Sequence, residues 1–93
     1  MYVLMMNTGD NESLGITFCG MFETHDEAHA EMVELIERHR DDWVAEYKAS
    51  PDVFTVEVKE DAGHLIDGDL YDWRYYEQYF IFDTEDFGQT FVY

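Results

Sequence analysis

Twenty-two aspartate and glutamate side chains face only five lysines and arginines in this chain of 93 residues, which gives a formal net charge of −17. Five cations neutralise at most five carboxylates, and an unpaired carboxylate is too costly to bury. Most of the acidic side chains must therefore lie on the surface of whatever fold the chain adopts. Such a surface repels phosphate and attracts basic proteins, so direct binding of DNA, RNA or an anionic membrane is disfavoured.

The apolar content of the chain nevertheless predicts a folded protein. Hydrophobic residues make up 46% of the sequence and aromatic residues 17%. Disordered acidic tails lack this content, because they cannot bury enough surface to offset the entropy lost on ordering. A chain of this length has material for one hydrophobic core, so we predict a single domain over residues 1–93.

The cysteine count and the lengths of the apolar runs indicate where the protein is located. Cys19 is the only cysteine, so no intramolecular disulfide can form, which is typical of a reducing compartment. The apolar residues 1–6 are too few and lack the basic flank of a signal peptide, and no run approaches the ~18 apolar residues of a membrane span. These features favour a cytoplasmic location.

The clearest predicted element is a long helix. Residues 24–27 fit a capping box, in which Thr24 caps the amide of Glu27 and the Glu27 side chain returns to the Thr24 amide. Ser50-Pro51 ends the helix, and a second cap at residues 41–42 leaves a division into two shorter helices open. Residues at three- and four-residue spacing predict one buried stripe: Ala28, Met32, Leu35, Ile36, His39, Trp43 and Tyr47.

Before the helix, residues 2–6 and 14–22 predict two strands joined by a loop at residues 7–13. Alternation in the second strand places Leu14, Ile16, Phe18 and Phe22 on one face and Thr17 and Cys19 on the other.

After the helix, residues 53–58 predict a strand with Phe54, Val56 and Val58 inward, and residues 64–66 a short strand that ends at the tight-turn signal Asp67-Gly68. Residues 79–82 are apolar on both faces, which predicts a central strand. Residues 70–76 are ambiguous between a helical turn and a loop, and residues 91–93 are an edge-strand candidate. The predicted fold class is α+β: one antiparallel sheet of four to five strands, with one long helix packed on it, in ββα-ββ order.

Motifs for catalysis or metal binding are weak. His25 and His29 lie four residues apart, as in zinc-binding helices, but the metalloprotease pattern needs Glu where Asp26 stands. The calcium-loop pattern fails because aromatic residues occupy its fifth position in both candidate loops. No phosphate loop, dinucleotide fingerprint or nucleophile elbow occurs. We predict no enzyme activity, cofactor or metal, and a metal-dependent enzyme using His25 and His29 is the weakest alternative.

Two acidic regions carry the functional prediction. On the predicted helix, five carboxylates follow helical spacing opposite the apolar stripe over ~21 Å, a linear charge density comparable with that of a DNA strand. These residues are Glu27, Glu31, Glu34, Glu37 and Asp41. A net charge of magnitude about 2 to 8 already keeps a small domain soluble, so −17 is in excess.

The second region mixes carboxylates with aromatic side chains, the residue types that are enriched at protein-binding hot spots. Its predicted partner-binding residues are Asp67, Asp69, Asp72, Trp73, Tyr75 and Glu77. Carboxylates around aromatic rings suit the lysines and arginines of a nucleic-acid-binding protein. The alternative is that most of these rings belong to the core, since aromatic residues supply core and interface energy alike.

Small size, high acidity, an aromatic-rich α+β body and the lack of a catalytic motif together resemble the protein inhibitors made by phages and mobile elements. These include DNA-mimicking anti-restriction proteins, uracil-DNA glycosylase inhibitors and several anti-CRISPR proteins. The resemblance is one of composition and kind over the whole chain. It rests on no shared motif, so it assigns no functional residues.

The leading hypothesis is an acidic inhibitor that binds the basic nucleic-acid-binding surface of a DNA-processing enzyme, with a CRISPR effector nuclease as the first target, and blocks DNA binding by mimicking phosphate charge. One alternative is a non-enzymatic acidic adaptor or regulator. Another is a halophile-adapted small domain, whose acidity answers the solvent and not a partner.

Overall fold

The computed structural model describes residues 1–10, 13–69 and 71–85. The described residues form five β-strands and one long helix in the order ββαβββ, with a short 3-10 turn before the third strand. The elements are β1 (Tyr2–Asp10), β2 (Leu14–Phe22), α1 (His25–Tyr47), β3 (Phe54–Val58), β4 (Ala62–Gly68) and β5 (Trp73–Asp83). The predicted α+β class is confirmed, and three strands follow the helix where the predicted order had two.

The five strands form one sheet in the order β2-β1-β5-β4-β3, with every neighbouring pair antiparallel. β5 lies in the middle of the sheet, as the apolar residues on both of its faces predicted. β1 and β5 pair from Tyr2 opposite Asp83 to Asp10 opposite Tyr75. β1 and β5 are therefore the two long inner strands that organise the sheet.

Three strands are longer than the sequence predicted. β1 continues to Asp10, so the predicted loop at residues 7–13 is wrong over its first half; Asn7 and Thr8 pair with Ile16 and Gly15. β4 and β5 likewise extend beyond their predicted cores. Pairing along both edges of β1 supplies backbone hydrogen bonds that outweigh the local turn preference of these residues.

A β-bulge in β2 overturns one predicted face. The register with β1 shifts so that Leu4 lies opposite Gly20 while Met5 lies opposite Phe18. The extra residue moves Phe22 to the helix side of the sheet, where it packs with Cys19 on the core. The prediction that Phe22 shares a face with Leu14, Ile16 and Phe18 is therefore wrong.

The helix is one continuous element of 23 residues, so the division at residues 41–42 does not occur. Thr24 is its N-cap: the Thr24 hydroxyl accepts from the Glu27 amide at 3.2 Å and donates to Glu27 Oε1 at 3.1 Å. Lys48 ends the helix in the left-handed conformation, with its amide donating to the Val44 carbonyl. A local hydrogen bond thus closes each end of the helix.

We expect Thr24→Ala to lower the free energy of unfolding by about 1 kcal/mol, because the Glu27 amide loses its acceptor at the start of the helix. Chemical denaturation checks this value, and Thr24→Ser is the matched control because it keeps the hydroxyl. Equal destabilisation by the two substitutions would show that the cap is not the cause.

The helix packs on one face of the sheet and closes the core there. Fully or nearly fully buried side chains of α1 meet those of the inner strands: Ala28, Met32 and Ile36 against Leu4, Leu65, Tyr79 and Ile81. Register places Val56 and Val58 on the helix side of β3 together with Phe54, as predicted, but both side chains are exposed because β3 is an edge strand. No helix among the described residues is long and apolar enough to cross a membrane.

Candidate partner-binding surface

The outer side of α1 carries a row of exposed carboxylates. Ala28, Met32 and Ile36 turn one side of the helix into the core, so the opposite side faces solvent. Four of the five predicted residues are exposed there, namely Glu27, Glu34, Glu37 and Asp41, and we call these four the acidic row. Glu31 is half-buried at its flank. The acidic row spans the 15 helical residues from Glu27 to Asp41, a rise of about 21 Å.

Few cations neutralise the acidic row. Arg38 Nη1 lies 4.0 Å from Glu34 Oε1, with both side chains more than half exposed, and Arg40 Nε lies 3.7 Å from Oδ1 of the exposed Asp41. Such solvated pairs contribute little attraction and leave most of the field in place. Between Glu23 and Lys48 the chain holds nine acidic side chains against three basic ones. The helix side of the molecule is therefore strongly negative.

The second predicted acidic region divides into surface and interior residues. Asp69 and Asp72 are exposed between β4 and β5, whereas Asp67 and Glu77 are buried. Asp67 Oδ1 accepts from Arg74 Nη2 at 3.2 Å. Only Asp69 and Asp72 of these four therefore present carboxylates to a partner.

A turn holds an aromatic side chain out in solvent beside these carboxylates. Asp69 Oδ1 accepts from the amides of Tyr71 and Asp72, both at 2.8 Å. The Tyr71 side chain is 98% exposed. An exposed tyrosine on a hydrogen-bonded turn suits an anchor for a protein partner, because little conformational entropy is lost when it binds.

The predicted aromatic residues Trp73 and Tyr75 are half-buried, so they serve packing and surface together. Trp73 packs edge-on against Tyr76 with ring centroids 5.1 Å apart. Tyr75 packs in the same manner on Trp43 of α1, at 5.4 Å. The Tyr75–Trp43 contact joins the second region to the C-terminal half of the helix.

An open cleft of about 480 Å³ lies at this junction. It is lined by Asp10, Trp43, Tyr47, Asp67, Arg74 and Tyr75. Aromatic faces beside carboxylates favour a cationic side chain. The chain's own Arg74 shows this preference, because its guanidinium pairs with Asp67 at the cleft.

A buried polar network lies beneath the helix. Glu77 Oε1 is 2.7 Å from His39 Nδ1 and 3.0 Å from the Tyr79 hydroxyl, and Glu77 Oε2 is 3.3 Å from the Tyr75 hydroxyl. An ionised carboxylate only accepts hydrogen bonds, so His39 Nδ1 carries the proton toward it. The sequence predicted that Glu77 is a partner-binding residue on the surface. The one available signal was His39 within the apolar stripe, since a buried imidazole needs a polar partner.

Burial and the Glu77 carboxylate raise the pKa of Tyr75 to about 12. The same causes raise the pKa of Tyr79 still further above its ordinary value. The half-buried Cys19 thiol also has a raised pKa, first through burial and then through Glu77 and Glu31. These groups hold their protons at neutral pH, so the described structure provides no activated nucleophile there.

The raised tyrosine pKa values predict alkaline instability. The unfolded chain releases tyrosine protons near pH 10, whereas the folded chain retains those of Tyr75 and Tyr79 to higher pH. Stability is therefore unaffected below about pH 10 and falls as the pH rises from there toward 12. Urea denaturation at pH 9 and pH 11 measures the loss, and Tyr75→Phe is expected to reduce its pH dependence.

The two candidate zinc ligands bind protein groups instead. His25 Nε2 lies 2.6 Å from Asp61 Oδ1, and His29 Nε2 lies 3.1 Å from the Lys59 carbonyl. Their rings stack with centroids 6.2 Å apart. Within the described ranges, no three histidine, cysteine or acidic side chains are grouped to hold a metal ion.

Comparison with family models, with curated proteins and with solved structures finds no match to this chain.

Proposed function

We propose that this protein is an acidic, non-enzymatic inhibitor that binds the basic nucleic-acid-binding surface of a DNA-processing enzyme and excludes DNA from it. The observation that supports this most is the acidic row: four exposed carboxylates along the outer side of one helix, beside too few cations to neutralise them. The resemblance of this chain in composition and kind to the inhibitors made by phages and mobile elements makes a CRISPR effector nuclease the first target to test.

The acidic row substitutes for the phosphates of one DNA strand. A strand carries about six charges over ~21 Å, and the acidic row places four over the same length. Two exposed acidic neighbours on the helix, Asp26 and Asp42, raise the density on this side of the molecule. Their field steers a basic surface into contact and speeds association at low salt.

The cleft and Tyr71 supply the short-range contacts that a charged row lacks. A lysine or arginine of the partner enters the cleft beside Trp43 and Tyr75, which the carboxylate of Asp10 also lines. Tyr71 packs on the partner beside this contact. Long-range attraction thus brings the partner close, and a few aromatic residues fix its orientation.

The arrangement also argues against acidity that serves only solubility. Like charges three and four residues apart, as in Glu34, Glu37 and Asp41, destabilise a helix by a few tenths of a kcal/mol per pair. Lysines at some of these positions would keep the surface soluble and stabilise the helix. A helix surface that keeps this repulsion between neighbouring carboxylates is typical of a surface that binds a basic partner.

The proposal is tested by capture and displacement. The chain is immobilised, host-cell extract is applied at low salt, and bound proteins are challenged with a DNA duplex. We expect the duplex to displace a basic DNA-processing enzyme, because DNA and the acidic row occupy the same surface. If the duplex leaves the enzyme bound at matched ionic strength, DNA and this protein bind separate surfaces of the enzyme. That result would contradict the proposal.

A further inference from the structure

The face of the sheet opposite the helix is mostly apolar. Register places the following residues on it: Leu14, Ile16, Phe18 and Met21 of β2; Val3, Met5, Asn7 and Gly9 of β1; Tyr76, Gln78, Phe80 and Phe82 of β5; Ala62, His64 and Ile66 of β4; and Thr55 and Glu57 of β3. An antiparallel sheet with one solvated face normally alternates apolar and polar residues, and this sheet does not.

Its apolar side chains are most exposed along β2. Leu14 is 81% exposed, Ile16 74%, Phe18 58% and Met21 52%. Monomeric proteins scatter exposed apolar residues singly, whereas a contiguous group of this kind marks an interaction surface. Nothing in the described ranges lies over these four side chains.

Charge separates this face from the rest of the molecule. In a chain with 22 acidic side chains, Glu57 is the one acid that register places on the face, at its far edge, and it pairs with Lys59 at 3.6 Å. A basic partner finds no carboxylate row there, and a nucleic acid finds no cluster of cations. The face instead suits a partner with an equally uncharged apolar surface.

The size of the face matches what a stable interface needs. Five strands of 5 to 11 residues, at ~3.3 Å per residue and ~4.8 Å spacing, give about 650 Å². A standard interface buries about 800 Å² on each partner. Two copies that each carry a charge of −17 repel one another on every acidic surface, so an uncharged face of this size is where they can meet.

We propose that this face is the interface of a homodimer, in which a second copy packs its own open sheet face against the first across a two-fold axis. The sheets lie about 10 Å apart and the side chains of β2 from both copies are buried. Both helices lie on the outside, which leaves each acidic row free. The inference is independent of the proposed function, because it uses the opposite side of the molecule.

Sedimentation equilibrium of the full chain tests this proposal at about 0.1 M and about 0.5 M salt. We expect a dimer that tightens with added salt, since screening weakens the repulsion between two negative copies. Binding of a basic partner to the acidic row is expected to weaken with added salt, whereas the dimer is expected to tighten. The two proposals therefore fail in distinguishable ways.

Ile16→Glu is the interface variant, and we expect it to raise the dimer Kd by about 100-fold because it buries an unpaired carboxylate. Ala45→Glu is the matched control: it adds the same charge at an exposed position on α1 and leaves the dimer unchanged. Circular dichroism confirms that both variants fold.

Two results overturn the proposal. One is a wild-type chain that stays monomeric up to about 100 μM at both salt concentrations. The other is a dimer that Ile16→Glu leaves intact.

Discussion

Replacing Glu27, Glu34 and Glu37 by glutamine and Asp41 by asparagine is expected to weaken binding to the basic partner by on the order of 100-fold. The variant retains a net charge of about −13, so it stays soluble. Glutamine at position 27 preserves the capping box, because glutamine serves at that position as well as glutamate does. The loss should appear mainly in the association rate, which is measured by surface plasmon resonance at low salt.

A matched variant separates the distribution of charge from its total. Glu23, Glu46, Asp52 and Glu60 are all exposed and lie outside the acidic row. Their replacement by amides changes the net charge by the same amount, and we expect a loss of less than about fivefold. Equal losses of affinity in the two variants would show that only the total charge matters. That result would favour an acidic adaptor or a halophile-adapted domain over an inhibitor that mimics DNA.

Glu77→Ala is expected to lower the free energy of unfolding by about 3 kcal/mol, because it leaves the buried hydroxyl of Tyr79 and the half-buried donors of His39 and Tyr75 without their acceptor. A domain of this size has a total stability of roughly 5–10 kcal/mol, so the loss is a large fraction of it. Thermal unfolding should show a decrease in Tm of about 15 °C.

Glu77→Gln is the control for this network. The amide keeps one oxygen acceptor of similar shape, so we expect a loss of about 1 kcal/mol. The network would have no role in stability if both variants unfolded within about 0.5 kcal/mol of the wild type.

The parts of the fold that depend on neighbouring residues could be predicted from the sequence. The start of α1 follows from Thr24 and Glu27, three residues apart. The central position of β5 follows from its apolar residues on both faces. Exposure of the acidic row follows from simple helical spacing opposite Ala28, Met32 and Ile36.

What the sequence could not predict depends on partners far along the chain. Glu77 is buried because His39, 38 residues earlier, lies over it on the helix. Phe22 faces the helix because a bulge shifts its register with β1. The cleft joins Trp43 to Tyr75, which lie 32 residues apart in the chain, and no local pattern encodes that contact. The candidate surface therefore combines the acidic row, which helical spacing predicts, with the cleft, which no local pattern predicts.

The most direct measurement is the affinity of the captured enzyme for DNA at rising concentrations of this protein. If the acidic row occupies the DNA-binding surface, the apparent Kd for DNA rises in proportion to the added protein and never reaches a plateau. A plateau, or equal binding of the protein to the free enzyme and to the enzyme–DNA complex, would contradict the account.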